Sequence, residues 1–318
     1  MARSSVYVVD PYHDSALSVL RSASSVNLIY KDDPKVQDWR SEADGLMVRS
    51  ETRVTAADLK EAKKLKVIVK QGVGVDNIDT EAAKQYGIAV CNTPALNSEA
   101  VAELTISLAL SVARRVNELD RRIQSGEEIV RSTALGQSLF KKTIGIVGMG
   151  NIGRIVAEKW IAAMQGPVIA YDPVVPDGAW KDLPHTRARS LAEMLPEPDV
   201  ITLHVPLTKE TTKMIGKEQF ALMKKSAIFL NAARGGVVDE KALLEALTEQ
   251  RIWGAALDAM EIEPPTLEAY RDLLGCGNLI MTPHIGANTI ENQVNSGKAA
   301  AETMVAVLEG KDVPNRVV

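Results

Sequence analysis

The chain has 318 residues, of which 46% are hydrophobic and 25% charged, and its formal net charge is -4. This length suits two α/β domains with full cores, and the composition is typical of a soluble globular protein. The basic pairs are scattered along the chain, so we expect neither a nucleic-acid-binding surface nor a membrane-binding one. No apolar run reaches the length of a transmembrane helix.

The two cysteines, Cys91 and Cys276, have no histidine or second cysteine at metal-binding spacing. We interpret both as packing residues of a protein in a reducing compartment, and we predict no metal site. The N-terminal residues run directly into a predicted strand at Val6–Asp10, which leaves no room for a signal peptide. We therefore expect a cytoplasmic protein.

Short apolar strands alternate with helical patterns along the chain, which predicts an α/β fold with parallel sheets. The amphipathic stretch Thr55–Lys64 is typical of the helices between the strands. A longer helical pattern covers Glu99–Arg115, and the polar segment Asn117–Lys142 is predicted to be irregular. The strands predicted in the first half are Val6–Asp10, Val26–Tyr30, Gly45–Val48, Val67–Val69 and Ile88–Val90.

A glycine turn follows the strand predicted at Thr143–Val147. Gly148, Gly150 and Gly153 form the pattern Gly-x-Gly-x-x-Gly, and Asp172 ends the next strand nineteen positions after Gly153. This arrangement is typical of a dinucleotide-binding βαβ unit, in which glycines permit a tight turn, close approach of a pyrophosphate and close helix packing. Asp172 can accept hydrogen bonds from a ribose 2′-hydroxyl and repel a 2′-phosphate. Because no arginine directly follows it, we expect NAD rather than NADP.

The second half repeats the alternation of strands and helices, and a last helical pattern at Thr289–Leu308 is predicted to return to the first domain. We predict two doubly wound parallel-sheet domains, a Rossmann NAD domain inserted in a flavodoxin-like substrate domain. The substrate domain is placed at 1–98 with 290–318 and the dinucleotide-binding domain at 99–289, with ligands in a cleft. The predicted strands are Thr143–Val147, Val168–Tyr171, Val200–Leu203, Ala227–Asn231, Gly254–Leu257 and Leu279–Met281.

Arg234, Glu263 and His284 each follow a different predicted strand of the second half. In a parallel sheet they would project from the same edge as the glycine turn. A guanidinium suits a substrate carboxylate and the neighbouring carbonyl, an imidazole can exchange the hydroxyl proton, and a carboxylate can orient the imidazole. We therefore predict hydride transfer between NAD and C2 of a 2-oxo or 2-hydroxy acid. His204, which ends another strand, is expected to pack beside the cofactor.

Over nearly its whole length the chain resembles the D-isomer-specific 2-hydroxyacid dehydrogenases. Val-Arg-Ser at 48–50 and the Thr-Pro-His-Ile-Gly-Ala motif make the phosphoglycerate dehydrogenases the most similar branch. The resemblance is carried by the glycine turn and by the segments 72–79, 203–208, 231–239, 257–265 and 283–287.

The resemblance implies that Arg234, Glu263 and His284 form the catalytic set, and that Asp258 holds the nicotinamide carboxamide. It also implies a homodimer in which the segment around 100–140 reaches the partner. The implied NAD site comprises Gly148, Gly150, Asn151, Ile152, Gly153, Asp172, Val205, Pro206, Ala232, Ala233, Asp258 and Gly286. The implied substrate site comprises Arg49, Ser50, Val73, Gly74, Val75, Arg234 and His284.

Lys70 and Gln71 replace the arginine and small residue that are typical of the phosphoglycerate branch. Lysine keeps the charge without the bidentate geometry of arginine, so phosphorylated and unphosphorylated 2-oxo acids both stay open as substrates. Gln71 is a bulkier, polar candidate for the pocket. The chain ends at Val318, without the regulatory extension of the longest phosphoglycerate dehydrogenases, so we expect no feedback control of that type.

One alternative function comes from another class of protein. The C-terminal-binding corepressors share this fold and its catalytic residues, and act as NAD(H)-sensing scaffolds without significant turnover. The chain lacks the extended polar tail expected of them, so a dehydrogenase is the leading prediction. Within that class, glyoxylate or hydroxypyruvate reduction, 3-phosphoglycerate oxidation and branched 2-oxo acid reduction stay open.

Overall fold

The computed structural model describes residues 3–318, so that Met1 and Ala2 lie outside the described chain. These residues divide into two compact units. The terminal unit comprises the chain up to Asn97 together with Ala287–Val318, and the central unit comprises Ser98–Gly286. The junctions predicted from the sequence lie after residues 98 and 289.

Strands of the terminal unit, within the described residues, are β1 (Ser4–Val8), β2 (Val26–Tyr30), β3 (Gly45–Val48), β4 (Val67–Lys70) and β5 (Ala89–Cys91). They form one parallel sheet in the order β2-β1-β3-β4-β5, which is the flavodoxin-like order. Its first helices are α1 (Asp14–Ser22), α2 (Trp39–Glu42), α3 (Ala56–Glu61) and α4 (Thr80–Gln85), with a 3₁₀ turn at Pro34–Asp38. The strand order reverses between β1 and β3, which makes a switch point at that edge.

Strands of the central unit are β6 (Ile144–Val147), β7 (Val168–Tyr171), β8 (Thr186–Arg187), β9 (Val200–Leu203), β10 (Ile228–Asn231), β11 (Gly254–Leu257) and β12 (Leu279–Met281). They form a parallel sheet in the order β12-β11-β10-β9-β6-β7-β8. The helices are α5 (Ser98–Ala113), α6 (Val116–Gln124), α7 (Asn151–Met164), α8 (Leu191–Met194), α9 (Lys217–Leu222), α10 (Glu240–Thr248) and α11 (Leu267–Leu274). The switch point between β6 and β9 is that of a Rossmann fold.

The last helix, α12 (Ile290–Leu308), belongs to the terminal unit and packs against α1 and β4. It begins after Thr289, whose hydroxyl accepts a hydrogen bond from the Asn292 N–H and so satisfies a free donor of the first turn. A Cβ added to Gly297 would lie 3.3 Å from the Ala16 methyl. A larger residue at this position would therefore have to displace Ala16, where α12 crosses α1.

Two elements differ from the sequence-based prediction. Most of α6 falls in the segment Asn117–Lys142, which was predicted to be irregular, and the two-residue strand β8 was missed. Helix α6 is mostly polar and buries none of its residues, although Val116, Leu119 and Ile123 recur at helical spacing, so its polar composition concealed a helical pattern. Ion pairs from Arg115 and Arg122 to Glu118 support the helix. Strand β8 is too short to produce a recognisable pattern.

Helices cover both faces of each sheet, and several strands bury every one of their residues, among them β3, β4, β6, β9, β10 and β11. Strands buried on both faces read as continuous apolar runs, which is why they were recognisable in the sequence. In the described chain, no helix is both long enough and apolar enough to span a lipid bilayer.

Candidate active site

The glycine turn lies at the switch point of the central sheet, where β6 neighbours β9. Gly148 has φ +103°, and a Cβ there would collide with the His204 carbonyl at the end of β9. A Cβ on Gly153 would collide with the Gly148 carbonyl, so α7 also needs glycine to pack this closely. Within residues 3–318, a Cβ on Gly150 would meet no atom within 4 Å. The turn thus leaves open space at the start of α7, which fits a pyrophosphate.

Asp172 connects this turn to the loop that follows β7. Its Oδ2 accepts a hydrogen bond from the Met149 N–H at 2.8 Å, inside the glycine turn. Its Oδ1 accepts from Val174 N–H at 2.8 Å and Val175 N–H at 3.1 Å. A carboxylate has about four acceptor positions, so Asp172 keeps capacity for a ribose hydroxyl. The acid and the turn thus fit the adenosine side of a dinucleotide.

The other predicted NAD contacts lie at the carboxyl ends of neighbouring strands or at the start of α7. Asn151 and Ile152 form the first turn of α7, which has no side-chain cap. This leaves main-chain N–H groups and the positive end of the helix dipole for phosphate oxygens. The remaining members follow β9, β10 and β12 and are Val205, Pro206, Ala232, Ala233 and Gly286.

His204 is half-buried at the end of β9. Its Nε2 lies 3.1 Å from the Thr202 hydroxyl oxygen, whereas its buried Nδ1 has no partner among the described residues. Burial lowers the pKa of the imidazole from its usual range to about 3, so His204 is neutral at physiological pH. A neutral histidine is unsuited to proton transfer. Because the carbonyl of His204 lies against the glycine turn, this residue instead suits packing at the cofactor site.

His284 and Glu263 are in direct contact. The His284 Nδ1 lies 2.9 Å from Glu263 Oε2 and 3.1 Å from Oε1, with about one third of each side chain exposed. Burial alone raises the pKa of the Glu263 carboxyl, but the hydrogen bond and charge of His284, the Met260 N–H and the charge of Arg234 bring it below its usual value. Glu263 is therefore an anion that fixes the ring orientation of His284.

The loop that carries His284 is held by the buried carboxylate of Asp258. Asp258 Oδ1 accepts hydrogen bonds from the Thr282 hydroxyl at 2.7 Å and the Ile285 N–H at 2.8 Å, and Oδ2 accepts the Gly286 N–H at 2.8 Å. His284 itself adopts the left-handed region, with φ 55°, which is uncommon for a residue other than glycine. Such strain persists only where the surrounding contacts impose it, as Asp258 does here.

Arg234 follows β10 in a turn organised by the buried amide of Asn231. The amide nitrogen of Asn231 donates to the Arg234 carbonyl at 2.8 Å, and the amide oxygen accepts from the Ala233 N–H at 3.1 Å. A Cβ on Gly235 would collide with the main chain at Met260, so the Arg234 turn packs directly on the loop that leads to Glu263. The structure thus brings the three predicted catalytic residues together.

The terminal sheet has its own polar cluster at the β1–β3 switch point. Asp10, which follows β1 and is 3% exposed, accepts hydrogen bonds from the Arg49 N–H and the Thr52 hydroxyl after β3. The Asn77 amide donates to the Arg49 carbonyl at 2.8 Å and the Thr52 carbonyl at 2.5 Å. These contacts fix the loop that carries Arg49 and Ser50 at the sheet edge where ligands of this fold bind.

The predicted substrate-binding segment Val73–Val75 follows β4, beside that loop. Val73 is exposed, and its carbonyl accepts a hydrogen bond from the Asn92 amide at 2.7 Å. Gln71, taken from the sequence as a candidate pocket residue, is buried, and its amide nitrogen donates to Gln293 at 3.1 Å and to Ser296 at 2.8 Å. The amide of Gln71 is therefore bound to α12.

Sequence reasoning missed several residues that shape these sites, notably Asp10, Asn231 and Arg187. The partners of Asp10 are the Arg49 N–H and the Thr52 hydroxyl, and those of Arg187 are carbonyl oxygens, which only the folded loops bring near. Asn231 binds main chain of its own turn and the Ala259 carbonyl. Asp10 and Asn231 do carry one usable signal, because both are polar residues at the end of an apolar strand. Arg187 carries no such signal.

Comparison with known proteins agrees with this architecture. The family model described as "D-isomer specific 2-hydroxyacid dehydrogenase, NAD binding domain" matches residues 106–286. The chain is 43% identical over 317 residues to D-3-phosphoglycerate dehydrogenase of Methanocaldococcus jannaschii, which covers 98% of this chain and 59% of that relative. It is 40% identical over 299 residues to hydroxypyruvate reductase of Thermotoga maritima, covering 93% and 96% of the two chains.

Among solved structures, D-lactate dehydrogenase of Aquifex aeolicus, complexed with NAD and lactic acid, superposes with a TM-score of 0.83 at 30% identity. The match covers 96% of each chain. The fold and the glycine turn define an NAD-binding α/β protein with two parallel sheets. The chain belongs to the D-isomer specific 2-hydroxyacid dehydrogenase family. It spans 59% of the length of the Methanocaldococcus jannaschii relative.

The pH dependence of stability tests the burial of His204. The folded protein keeps this imidazole neutral, because burial lowers its pKa to about 3, whereas the unfolded chain protonates it below about pH 6.5. The neutral imidazole therefore makes its full contribution to the free energy of unfolding above about pH 6.5. That contribution is lost as the pH falls, at up to about 1.4 kcal/mol per pH unit. When the pH is lowered from about 7 to about 5, we expect the free energy of unfolding to decrease less in His204→Gln than in wild type. Urea denaturation at each pH measures this quantity.

Thr202→Val is the matched control, because it removes the Thr202–His204 hydrogen bond and keeps the imidazole. Its free energy of unfolding should be lower at every pH, with the slope of the wild-type protein. If the free energy of unfolding of His204→Gln changed with pH as steeply as that of wild type, the burial assigned to this histidine would be contradicted.

Proposed function

We propose that the protein is an NAD-dependent oxidoreductase that interconverts a D-2-hydroxy acid and its 2-oxo acid. The observation that carries the proposal is the His284–Glu263 contact, with Arg234 close enough to lower the pKa of that carboxyl, in the NAD-binding unit itself. A histidine–carboxylate pair with a guanidinium beside it suits proton exchange at a hydroxyl next to a substrate carboxylate. Family membership and the named relatives support the same reaction class.

In the proposed mechanism His284 is the acid and base. Its Nδ1 is engaged by Glu263, so Nε2 is the ring nitrogen that gives a proton to the carbonyl oxygen of the 2-oxo acid or takes it from the hydroxyl. Bound NAD supplies the chemistry of hydride exchange at C2. The Glu263 carboxylate stabilises the charged imidazole and prevents it from rotating, as the carboxylate of a catalytic triad does.

Arg234 is proposed to bind the substrate carboxylate and to polarise the carbonyl that becomes the hydroxyl. Its planar guanidinium matches a carboxylate with two parallel hydrogen bonds. The assignment of Arg49, Ser50 and the main-chain N–H groups of Val73–Val75 to the substrate stays a prediction. Within the terminal unit, the contacts of Asp10 and Asn77 hold the Arg49 loop in place.

For the cofactor we propose that Asp258 serves the carboxamide of the nicotinamide as well as the His284 loop. In the described chain its Oδ2 accepts one hydrogen bond, from Gly286, and an acceptor position is left for an amide N–H. The glycine turn and the first turn of α7 would take the pyrophosphate, and Asp172 the adenosine ribose.

The direct test is oxidation of NADH by the purified protein with a panel of 2-oxo acids. The panel contains glyoxylate, hydroxypyruvate, its 3-phosphorylated form and a branched 2-oxo acid, and absorbance at the NADH band is followed. We expect turnover with at least one member, and a preference for NADH over NADPH because Asp172 repels a 2′-phosphate. Saturable NADH binding without turnover on any member would instead favour a coenzyme-sensing scaffold.

Substitution of the catalytic set should separate the roles of its members. We expect His284→Ala to lower kcat by about 10² to 10⁴-fold with little change in KM, because a proton donor is lost. Arg234→Ala should lower kcat and raise KM together, because it acts on both the bound substrate and the polarised carbonyl. Glu263→Gln should lower kcat by less than His284→Ala, since the imidazole stays in place without its charged partner. Steady-state kinetics with the best substrate of the panel measures all three.

Glu261→Gln is the matched control for Glu263→Gln. Glu261 is an exposed glutamate of the same loop whose carboxylate lies 4.0 Å from Lys213. It should keep kcat and KM within about twofold, since exposed ion pairs contribute little. Wild-type turnover in His284→Ala would remove the histidine from the mechanism.

We also propose that the protein is a homodimer that pairs through α6 and the segment that follows it. Helix α6 buries none of its own residues, and apolar side chains in and after it are each more than half exposed. Several exposed apolar side chains within one segment favour a contact between subunits. They are Val116, Ile123, Val130, Leu135 and Phe140. The cytoplasmic location expected from the sequence stays a prediction.

Light scattering coupled to size exclusion measures the oligomeric state. We expect the wild-type protein to show twice the mass of one chain, and the double variant Ile123→Asp/Leu135→Asp to shift toward the monomer, because two charges would have to be buried. Ile290→Asp, at an apolar side chain that is 76% exposed at the start of α12, is the control and should stay dimeric. A monomeric wild-type protein would refute the proposal.

A further inference from the structure

The segment between β7 and β8 has Asp172 at its start and Arg187 at its end. Strand β8 pairs with β7 so that Arg187 lies opposite Ala170, and the Ala188 N–H donates to the Ala170 carbonyl at 2.9 Å. Two residues that are fifteen positions apart thereby become neighbours. The fold thus supplies an arginine beside Asp172, although none directly follows it in the sequence.

The Arg187 guanidinium binds the main chain that follows Asp172. Its Nη2 donates to the Asp172 carbonyl at 2.8 Å and to the Val175 carbonyl, and its Nη1 donates to the Pro176 carbonyl at 2.7 Å. The Asp177 carboxylate lies 3.7 Å from Nη1, but it is fully exposed and the pair is weak. Three hydrogen bonds from one rigid, planar group fix the path of this loop.

The same loop is held from within by the Asp172 carboxylate. Oδ1 accepts the N–H groups of Val174 and Val175, and Oδ2 accepts the Met149 N–H of the glycine turn. Val175 is therefore bound on both sides, through its N–H to Asp172 and through its carbonyl to Arg187. The direction of the carboxylate thus depends on a loop path that Arg187 sets.

We propose that Arg187 is a positioning residue for coenzyme binding and for the preference for NAD over NADP, and that it acts through Asp172. This inference rests on the proposed contact of Asp172 with the adenosine ribose. Arg187 holds the carboxylate against the glycine turn, where it accepts hydrogen bonds from a ribose diol and repels a 2′-phosphate. Three N–H groups of the guanidinium are engaged by main-chain carbonyl oxygens.

The experiment measures Kd for NADH and NADPH by fluorescence titration in wild type, Arg187→Met and Arg187→Lys. In Arg187→Met we expect the Kd for NADH to rise about tenfold and the Kd for NADPH to change by less than about twofold, so that selectivity falls. Arg187→Lys should raise the Kd for NADH about threefold, because one ammonium cannot reach three carbonyls.

Arg189→Met is the matched control. Arg189 is an exposed arginine just beyond β8, and its main-chain N–H binds Glu193, so the substitution removes the same charge and leaves the loop intact. Its two Kd values should equal those of wild type. An arginine with a merely structural role would lower the melting temperature and leave the ratio of the two Kd values unchanged.

A double-mutant cycle tests the route through Asp172. If Arg187 acts through the carboxylate, adding Arg187→Met to Asp172→Ala should change the Kd for NADH by less than about twofold. A tenfold effect in both backgrounds, or an unchanged Kd for NADH in Arg187→Met, overturns the proposal. If Arg187→Met does not fold, Arg187→Lys carries the same comparison, and an unchanged Kd there overturns it too.

Coenzyme binding is measured without turnover, so the two proposals fail separately. Inactivity of the wild-type protein toward every 2-oxo acid, with normal NADH binding, would count against the proposed reaction and leave the role of Arg187 standing. Absence of NADH binding by the wild-type protein would overturn both.

Discussion

Parallel strand pairing is the constraint on which both sheets depend, throughout the part of the chain that the structure describes. Each crossover returns the chain to the same end of the sheet, so the residues that follow the strands gather along one edge. In the central sheet that edge receives the glycine turn, then Asp172, His204, Arg234 and His284, each after a different strand. Chemistry can therefore be assembled from short segments that have no contact with one another in the sequence.

Three aspartates each hold a neighbouring loop in place at these sheet edges. Asp10, Asp172 and Asp258 each follow a strand and accept main-chain N–H groups of a neighbouring loop. A carboxylate taken out of water is costly unless it is hydrogen-bonded, and charge-assisted bonds to N–H groups are among the strong ones. The folded loops that carry Arg49 and His284 are thereby held in place, including the left-handed backbone of His284.

The glycine turn, Asp172 and the proposed Arg234–Glu263–His284 set could be predicted because residue type and spacing together indicate their chemistry. A glycine is required wherever a Cβ would strike main chain, as it would between Gly148 and the His204 carbonyl. Helix α6 was not predicted because it is mostly polar and buries no side chain of its own, although a few apolar residues recur in it at helical spacing. Arg187 was missed for a different reason, since its partners are carbonyl oxygens, which every residue has.

The amino-acid sequence alone determined the alternation of strands and helices and the glycine turn of the NAD-binding domain. It also supplied the residue types from which the proposed proton exchange and carboxylate binding are argued. These are local properties, set by side-chain chemistry, by continuous apolar runs in the buried strands and by a period of about 3.6 residues in the helices. Only the tertiary structure decided which loops touch, that His284 faces Glu263 at 2.9 Å, that His204 is kept neutral and that Arg187 reaches the loop after Asp172. Those outcomes depend on strand order and on burial, because distances between main-chain groups far apart in the sequence exist only once the sheet has formed.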